Sequence, residues 1–481
     1  MDKYMDKLSN WREKAKERSK EIGRLKKRMQ EIIQSRKNWK EKYTLVKAEN
    51  DRLHKALKTK IKEENKWKEK EKKAIEKPKH HSYSTQIIML CIWLRQEGNC
   101  SLRSSASVLK IVALMLDIEL SFPSSSSIQN WEKKLGYSRL QEEGKKGTDW
   151  VLIIDESISI GSQKLLLILG VEISKYKMGS ALTFKEVSVL YMGVRKSWKG
   201  QAISEELEKI KARNFSITYS VSDGGTNIGN ALIISGITHV KDCTHYIGNL
   251  LKKQYKGNEL FGEFSKKCGE LRRQVYLSKN AIIIPPKQRT KGRFLNLQPL
   301  SKWAYKMLLL LEKEENILSP EQREKLSWLK EYEPLVLDIY MQCKTMNEIF
   351  KILKNKGLSF QSVEECKTIL KKSNITDFFR IGIEEYMATN LKLAVNDKAL
   401  ICCSDIIESY FGKYKNQLAR TSSQVITDSC LCIANFSQNF DEKEIKKAME
   451  DVKIVDLKKW KHEQFPSNIV QEKRKLLKSV G

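Results

Sequence analysis

The sequence predicts an α/β fold: a mixed β-sheet interrupted by an all-helical insertion, preceded by a short helical region and an N-terminal coiled coil. Three observations predict it. Apolar residues before position 60 recur with a seven-residue period. Between residues 148 and 251, short apolar runs alternate with amphipathic stretches of helical length. Residues 252–395 then carry helical spacing almost throughout.

The heptad comes first. With Leu8 at a, the a and d positions run through Trp11, Ile22, Met29, Trp39 and Val46 to Leu57, and twelve of fifteen are apolar. No proline occurs before Pro78. Asn50 falls at an a position, where a buried amide sets register in a dimer. A homo-oligomer, at least a dimer joined through this coiled coil, is expected; a single solvated basic helix is the plainer alternative. Residues 1–80 carry 28 Lys/Arg against 14 Asp/Glu, nearly half of the chain's formal excess of +30. Such an excess points to a polyanionic partner. Nucleic acid is favoured over membrane, because no apolar run approaches the roughly 18 residues of a spanning helix. The first residues, "MDKYMDKLSN", lack the apolar core of a signal peptide, which predicts an intracellular protein. The ten cysteines include no C-x-x-C pair, so they read as reduced and mostly buried.

Lys77-Pro78-Lys79-His80-His81-Ser82 breaks the heptad and reads as a linker. "SLRSSASVLKIVALML" has helical spacing at Leu102, Ala106, Leu109 and Val112. In "FPSSSSIQNWEKKLG", Pro123 and the serines start a helix, Gly136 stops it, and Ile128, Trp131 and Leu135 form its apolar face. Two short helices with a tight connection resemble a helix-turn-helix. The second would present Gln129, Asn130 and Lys133 to base edges or phosphates.

The period then changes. Val151–Ile154 is a continuous apolar run, as in a central strand. A second strand follows at Lys164–Ile173, and "FKEVSVLYMGV" is a third. After a helix at Gly200–Ala212 come a fourth strand in "FSITYSVSDGG", a helix, and a short strand running into another helix in "THVKDCTHYIGNLLKKQY". The order β-β-β-α-β-α-β-α is the ribonuclease H-like pattern, a mixed sheet with helices on both sides. A further helix, in "ALICCSDIIESYFGKYKNQLAR", returns to the sheet after the insertion.

Three acids stand out in this frame. Asp155 ends the first strand, with Glu156 beside it as a rival. Asp223 ends the fourth, which neighbours the first in such a sheet. Glu408 begins the returning helix. Two strand-end aspartates and a helical glutamate make a hard-oxygen set suited to Mg²⁺ or Mn²⁺. Two such ions about 4 Å apart activate water or a 3′-hydroxyl and stabilise the leaving oxygen at phosphorus. Lys415 follows Glu408 by seven residues, about two turns, so both share one helix face.

"LIIDESI", "YSVSDGGTNIGNAL" and "CSDIIESYFGKYK" together resemble DDE transposases of bacterial insertion sequences, over roughly residues 83–440. The resemblance implies a catalytic, metal-binding set of Asp155, Asp223 and Glu408, and DNA contacts from Lys415 and Lys413. "DCTHYIGNLL" is similar to the D/C-x-x-H motif of the hAT and Mutator groups, which implies that Asp242 and His245 support the active site. It further implies two Mg²⁺ or Mn²⁺ ions, double-stranded terminal inverted repeats and target DNA as partners, and a bacterial, cytoplasmic, nucleoid-associated protein. In the insertion, Lys287, Arg289, Lys291 and Arg293 would line the DNA path, and Trp303 would stack an unpaired base or sit in the helical core.

The expected organisation is a coiled coil (1–77), a helix-turn-helix-like region (78–147), the first part of the catalytic domain (148–251), the insertion (252–395), the third-acid helix (396–440) and a charged tail (441–481). The 185 residues from position 223 to position 408 require the insertion to be a folded subdomain. Two other functions remain open: a nuclease that cuts without strand transfer, and a non-catalytic DNA-binding protein derived from a transposase.

Overall fold

The structure, a computed structural model, describes residues 2–71, 77–118, 121–157, 163–176, 179–289, 294–313, 317–394, 398–420, 425–437, 440–465 and 476–479. The chain forms two compact units, Met1–Glu76 and Lys77–Gly481. The first contains one helix of 70 residues, α1 (Asp2–Glu71). Its heptad side chains stand in water: Trp11, Trp39 and Tyr43 are 69, 71 and 69% exposed.

The second unit begins with α2 (Thr85–Gln96), α3 (Leu102–Met115) and α4 (Ser125–Leu140). Each starts at a serine, Ser84, Ser101 or Ser124, whose hydroxyl accepts from a backbone N–H in the first turn. The strands follow: β1 (Asp149–Glu156), β2 (Lys164–Glu172) and β3 (Val187–Arg195). Then come α5 (Gly200–Ala212), β4 (Ser216–Ser222), α6 (Thr226–Ile234), β5 (Thr238–Lys241) and α7 (Cys243–Tyr255). The alternation of strands and helices is the expected one.

The sheet order is β3-β2-β1-β4-β5. β1–β2 and β2–β3 are antiparallel, whereas β1–β4 and β4–β5 are parallel. Its strands are apolar on both sides because both faces are covered. Trp150, Leu152 and Ile154 pack with Ile203, Leu207 and Ile210 of α5 and with Leu232 of α6. Val151 and Ile153 belong to the larger core on the opposite face, with Ile247 of α7 and the later helices.

The insertion consists of α8 (Glu259–Val275), α9 (Gln298–Glu312), α10 (Pro320–Leu326), α11 (Glu333–Lys356), α12 (Phe360–Lys372) and α13 (Asp377–Leu391). Its apolar faces, including Phe264, Leu308, Met346 and Phe379, are continuous with the sheet's larger core. The insertion is therefore folded. The chain returns along α14 (Asp405–Leu418), which buries Ile407, Tyr410 and Tyr414 and leaves Glu408 and Lys415 exposed.

Three sequence expectations are corrected. The segment after Asp441 is not a charged tail throughout. It forms α15 (Glu442–Asp451) and α16 (Ile454–Gln464), whose Ile445, Ala448, Met449, Leu457 and Trp460 are buried. Gly136 does not stop α4, which runs on to Leu140. A Cβ at Gly136 would lie 2.0 Å from the Leu431 carbonyl oxygen, so glycine is there for a close helix approach. The region 78–147 is also not a free helical pair. α4 is enclosed by the segment Asp428–Asn435 and by α15, and Trp131–Gly136 are all buried. A helix covered over that stretch cannot lay those side chains in a DNA groove.

Candidate active site

Parallel pairing sets the first two acids side by side. Ile153 pairs with Val221, so Asp155 and Asp223 each stand two residues further along neighbouring strands. Such strands lie about 4.8 Å apart. Side-chain alternation puts Asp155 on the face of Val151 and Ile153, and Asp223 on the face of Tyr219 and Val221. Both therefore face the larger core, the side on which α7 packs. Glu156 points to the other face and is held by Lys164 at 2.7 Å. Alternation thus separates two adjacent acids that the sequence alone leaves as rivals.

The turn after β4 is built from glycine. Gly224 has φ +79°, a conformation that side chains rarely adopt. Gly225 donates its N–H to Asp223 Oδ1 at 2.8 Å. The aspartate is exposed, whereas Asp155 is half-buried and accepts from the Glu156 N–H at 2.7 Å.

Glu408 arrives from α14, with its Oε1 3.5 Å from His245 Nε2 on α7. Asp242 fixes that histidine's helix turn. Its Oδ1 accepts from the His245 N–H at 2.7 Å as the cap of α7. Its Oδ2 accepts from both the N–H and the hydroxyl of Ser404, immediately before α14. One buried carboxylate thus ties the starts of the two helices that carry His245 and Glu408. Further backbone bonds lock the joint: Asp242 N–H to Ser222 O at 2.8 Å, Cys243 N–H to Cys402 O at 2.8 Å, and Ile401 N–H to Tyr219 Oη at 2.7 Å. The sequence draws attention to Asp242 and His245, but the Ser404 link emerges only from the fold.

The charges act on one another. Burial and then the negative charge of Asp223 raise the Asp155 carboxyl to about 7. Glu408 adds to the rise, while the Glu156 N–H and His245 oppose it. The bond to Glu408 raises His245 to about 9 against the effect of burial, helped by Asp242 and Asp223. At neutral pH the imidazole is a cation among carboxylates. The donor set offered by Asp155, Asp223 and Glu408 is all hard oxygen with excess negative charge, which fits Mg²⁺ or Mn²⁺ rather than Zn²⁺.

Among the described residues, only Asp242, Cys403 and Asp405 bring three ligand-type atoms within 4.8 Å of one another. Their donors are already engaged. Asp242 serves His245 and Ser404, and Asp405 pairs with Lys354 at 2.7 Å. This group reads as a bonding network that holds the joint. The three predicted acids do not fall within one such sphere, and a site for two ions about 4 Å apart does not require it.

The other predicted residues scatter. Lys415 is exposed on the face of Glu408. Lys413 is half-buried: its Nζ lies 5.1 Å from the Phe184 ring and 4.6 Å from the Phe436 ring, and burial lowers its pKa. Lys133 is buried and paired with Asp428 at 2.8 Å, so it too is withdrawn from any surface. Gln129 is half-buried and Asn130 exposed. Lys287 and Arg289 are exposed, while Lys291 and Arg293 lie outside the described residues. Trp303 is half-buried on α9 against the core.

No family model matches the chain, and no curated protein matches it. Among solved structures, the Drosophila P element transposase strand transfer complex aligns with 76% of this chain and 94% of that chain, at 13% identity and a TM-score of 0.41. A likeness of that size carries no assignment. Among the described residues no helix is long and apolar enough to cross a membrane.

Proposed function

We propose that this chain is a metal-dependent DNA transposase of the DDE type, built on a ribonuclease H-like domain. The supporting observation is the convergence of four side chains from four elements. Asp155 and Asp223 stand level on neighbouring strand ends, and Glu408, 3.5 Å from His245, lies near enough for its charge and that of His245 to act on Asp155. Asp155, Asp223 and Glu408 would hold two divalent ions, which supply Lewis-acid activation of water or a 3′-hydroxyl and stabilise the leaving oxygen.

The chain's own groups do the rest. The Asp155 carboxyl is raised first by burial and then by the charge of Asp223, and a cation held beside it would favour its ionised form. His245 orients Glu408, and Asp242 orients His245. Lys415, two turns along the same face, takes a phosphate of the element end. The stripe on α1 pairs with a second copy, which serves a reaction that must hold two DNA ends together.

The test uses the DNA flanking the coding sequence, cut beforehand to expose a 3′-hydroxyl end, with a target plasmid and Mg²⁺. Joined product is expected from the natural protein and none from Asp155→Asn, Asp223→Asn or Glu408→Gln. Strand cutting with no joined product would identify a nuclease instead. Normal Mg²⁺-dependent cutting by Asp223→Ala would refute the assignment of that residue.

A further inference from the structure

Asp223 does not border only acids. It opens onto a cleft lined by Gly224, by Lys241 of β5, and by Lys252, Lys253 and Lys256 at the end of α7. All four lysines are exposed. Among the described residues none of them has a carboxylate partner within ion-pair distance, and Asp223 is the sole acid lining the cleft. Three of the lysines lie in or next to the last turn of a helix, where cations complement its dipole. That accounts for their presence on α7 but not for Lys241, which reaches the same cleft from a strand. Unpaired like charges gathered in a cleft repel one another and focus a positive potential.

We infer that this cleft seats the phosphodiester backbone of the nucleic acid strand leading to the Asp155–Asp223–Glu408 group. The inference rests on the proposed function for the identity of the chemistry. The geometry adds the direction of approach: the strand runs from Lys256, along α7, to the turn at Gly224. The bare turn suits that end. Gly224 has its nearest prospective Cβ neighbour 4.0 Å away, at Lys241, so nothing blocks a sugar-phosphate from lying against it. The cleft joins a site that attracts cations to one that attracts anions, which a phosphodiester held through metal ions requires on its flank.

The test measures binding of fluorescein-labelled 20-nucleotide single strands and duplexes to the full chain, in chelator, by anisotropy across a salt series. Each phosphate contact contributes about 0.9 to the log–log salt slope for duplex and about 0.7 for a single strand. Changing Lys241, Lys252, Lys253 and Lys256 together to Gln should lower the slope by about 3, on the same counting. The matching change of all four to Arg should retain it. Mn²⁺ binding, followed by its electron spin resonance signal, should be retained in both variants and be no weaker in the Gln variant, which has lost neighbouring positive charge; this also reports that the site still folds. An unaltered slope in the Gln variant overturns the inference. If the slope falls but the natural protein neither cuts nor joins DNA, the cleft stands and the proposed function fails. If the natural protein joins DNA and the Gln variant does so equally well, the cleft fails and the proposed function stands.

Discussion

Replacing Asp242 by Ala tests the joint that holds the site together. The carboxylate is 1% exposed and accepts three bonds, from His245 N–H, Ser404 N–H and Ser404 Oγ. Hydrogen bonds to a charged group contribute about 1.5–3 kcal/mol each, and an N-cap about 1 kcal/mol. Alanine also relieves the burial that pushes this carboxyl upward, so the terms offset in part. The net loss is on the order of 3 kcal/mol, much of it from leaving the Ser404 donors buried and unpaired. Asn is a milder probe. Its single carbonyl oxygen can serve His245 or Ser404 but not both, so an intermediate loss of about 1–2 kcal/mol is expected. Urea denaturation of the three proteins gives the stability ranking, and Mn²⁺ titration reports whether His245 and Glu408 still meet. Equal denaturation midpoints for the natural protein and Asp242→Ala, with equal Mn²⁺ affinity, would refute the reasoning.

Other outcomes follow from the same structure. The Asp155 carboxyl, raised from 3.8 to about 7, favours the folded state fully below the unfolded value, and this contribution is lost as pH rises through 7. His245, raised from 6.5 to about 9, contributes below 6.5 and loses its contribution as pH rises through 9. Both signs agree, so in chelator the denaturation midpoint should fall between pH 4 and 9 on account of these groups. Asp155→Asn should remove the part below 7. Lys133→Ala should cost about 1–3 kcal/mol, since among the described residues its partner Asp428 then keeps Lys461 alone, at 3.5 Å, while the salt slope of DNA binding stays unchanged. A reduced slope would restore Lys133 as a DNA contact. Gly136→Ala should destabilise by about 1–3 kcal/mol or more, because the atom it meets at 2.0 Å is backbone and cannot rotate away; a thermal midpoint within 1 °C of the natural protein would show that α4 shifts freely.

The order of strands and helices was legible in the sequence because each element writes its own period, as in Val151–Ile154 or the run of α5. The three candidate acids stand out for a related reason: a carboxylate ending an apolar strand, or opening a helix, is visible without knowing its neighbours. Period alone could not choose Asp155 over Glu156. That choice depends on which sheet face α7 covers, and on Lys164 holding Glu156. α4 reads locally as a helix with one apolar side. Its charged side is buried as well, by residues about 300 positions later that supply Asp428 to Lys133 and Glu444 to Arg139. Lys413 likewise looks like a plain surface cation, whereas the fold sets its ammonium over the Phe184 and Phe436 rings. Local sequence determines what an element is and which face is greasy, because backbone preference and burial act within a few residues. What covers a second face, and which charges meet, is decided by the tertiary structure, because those partners lie far apart along the chain.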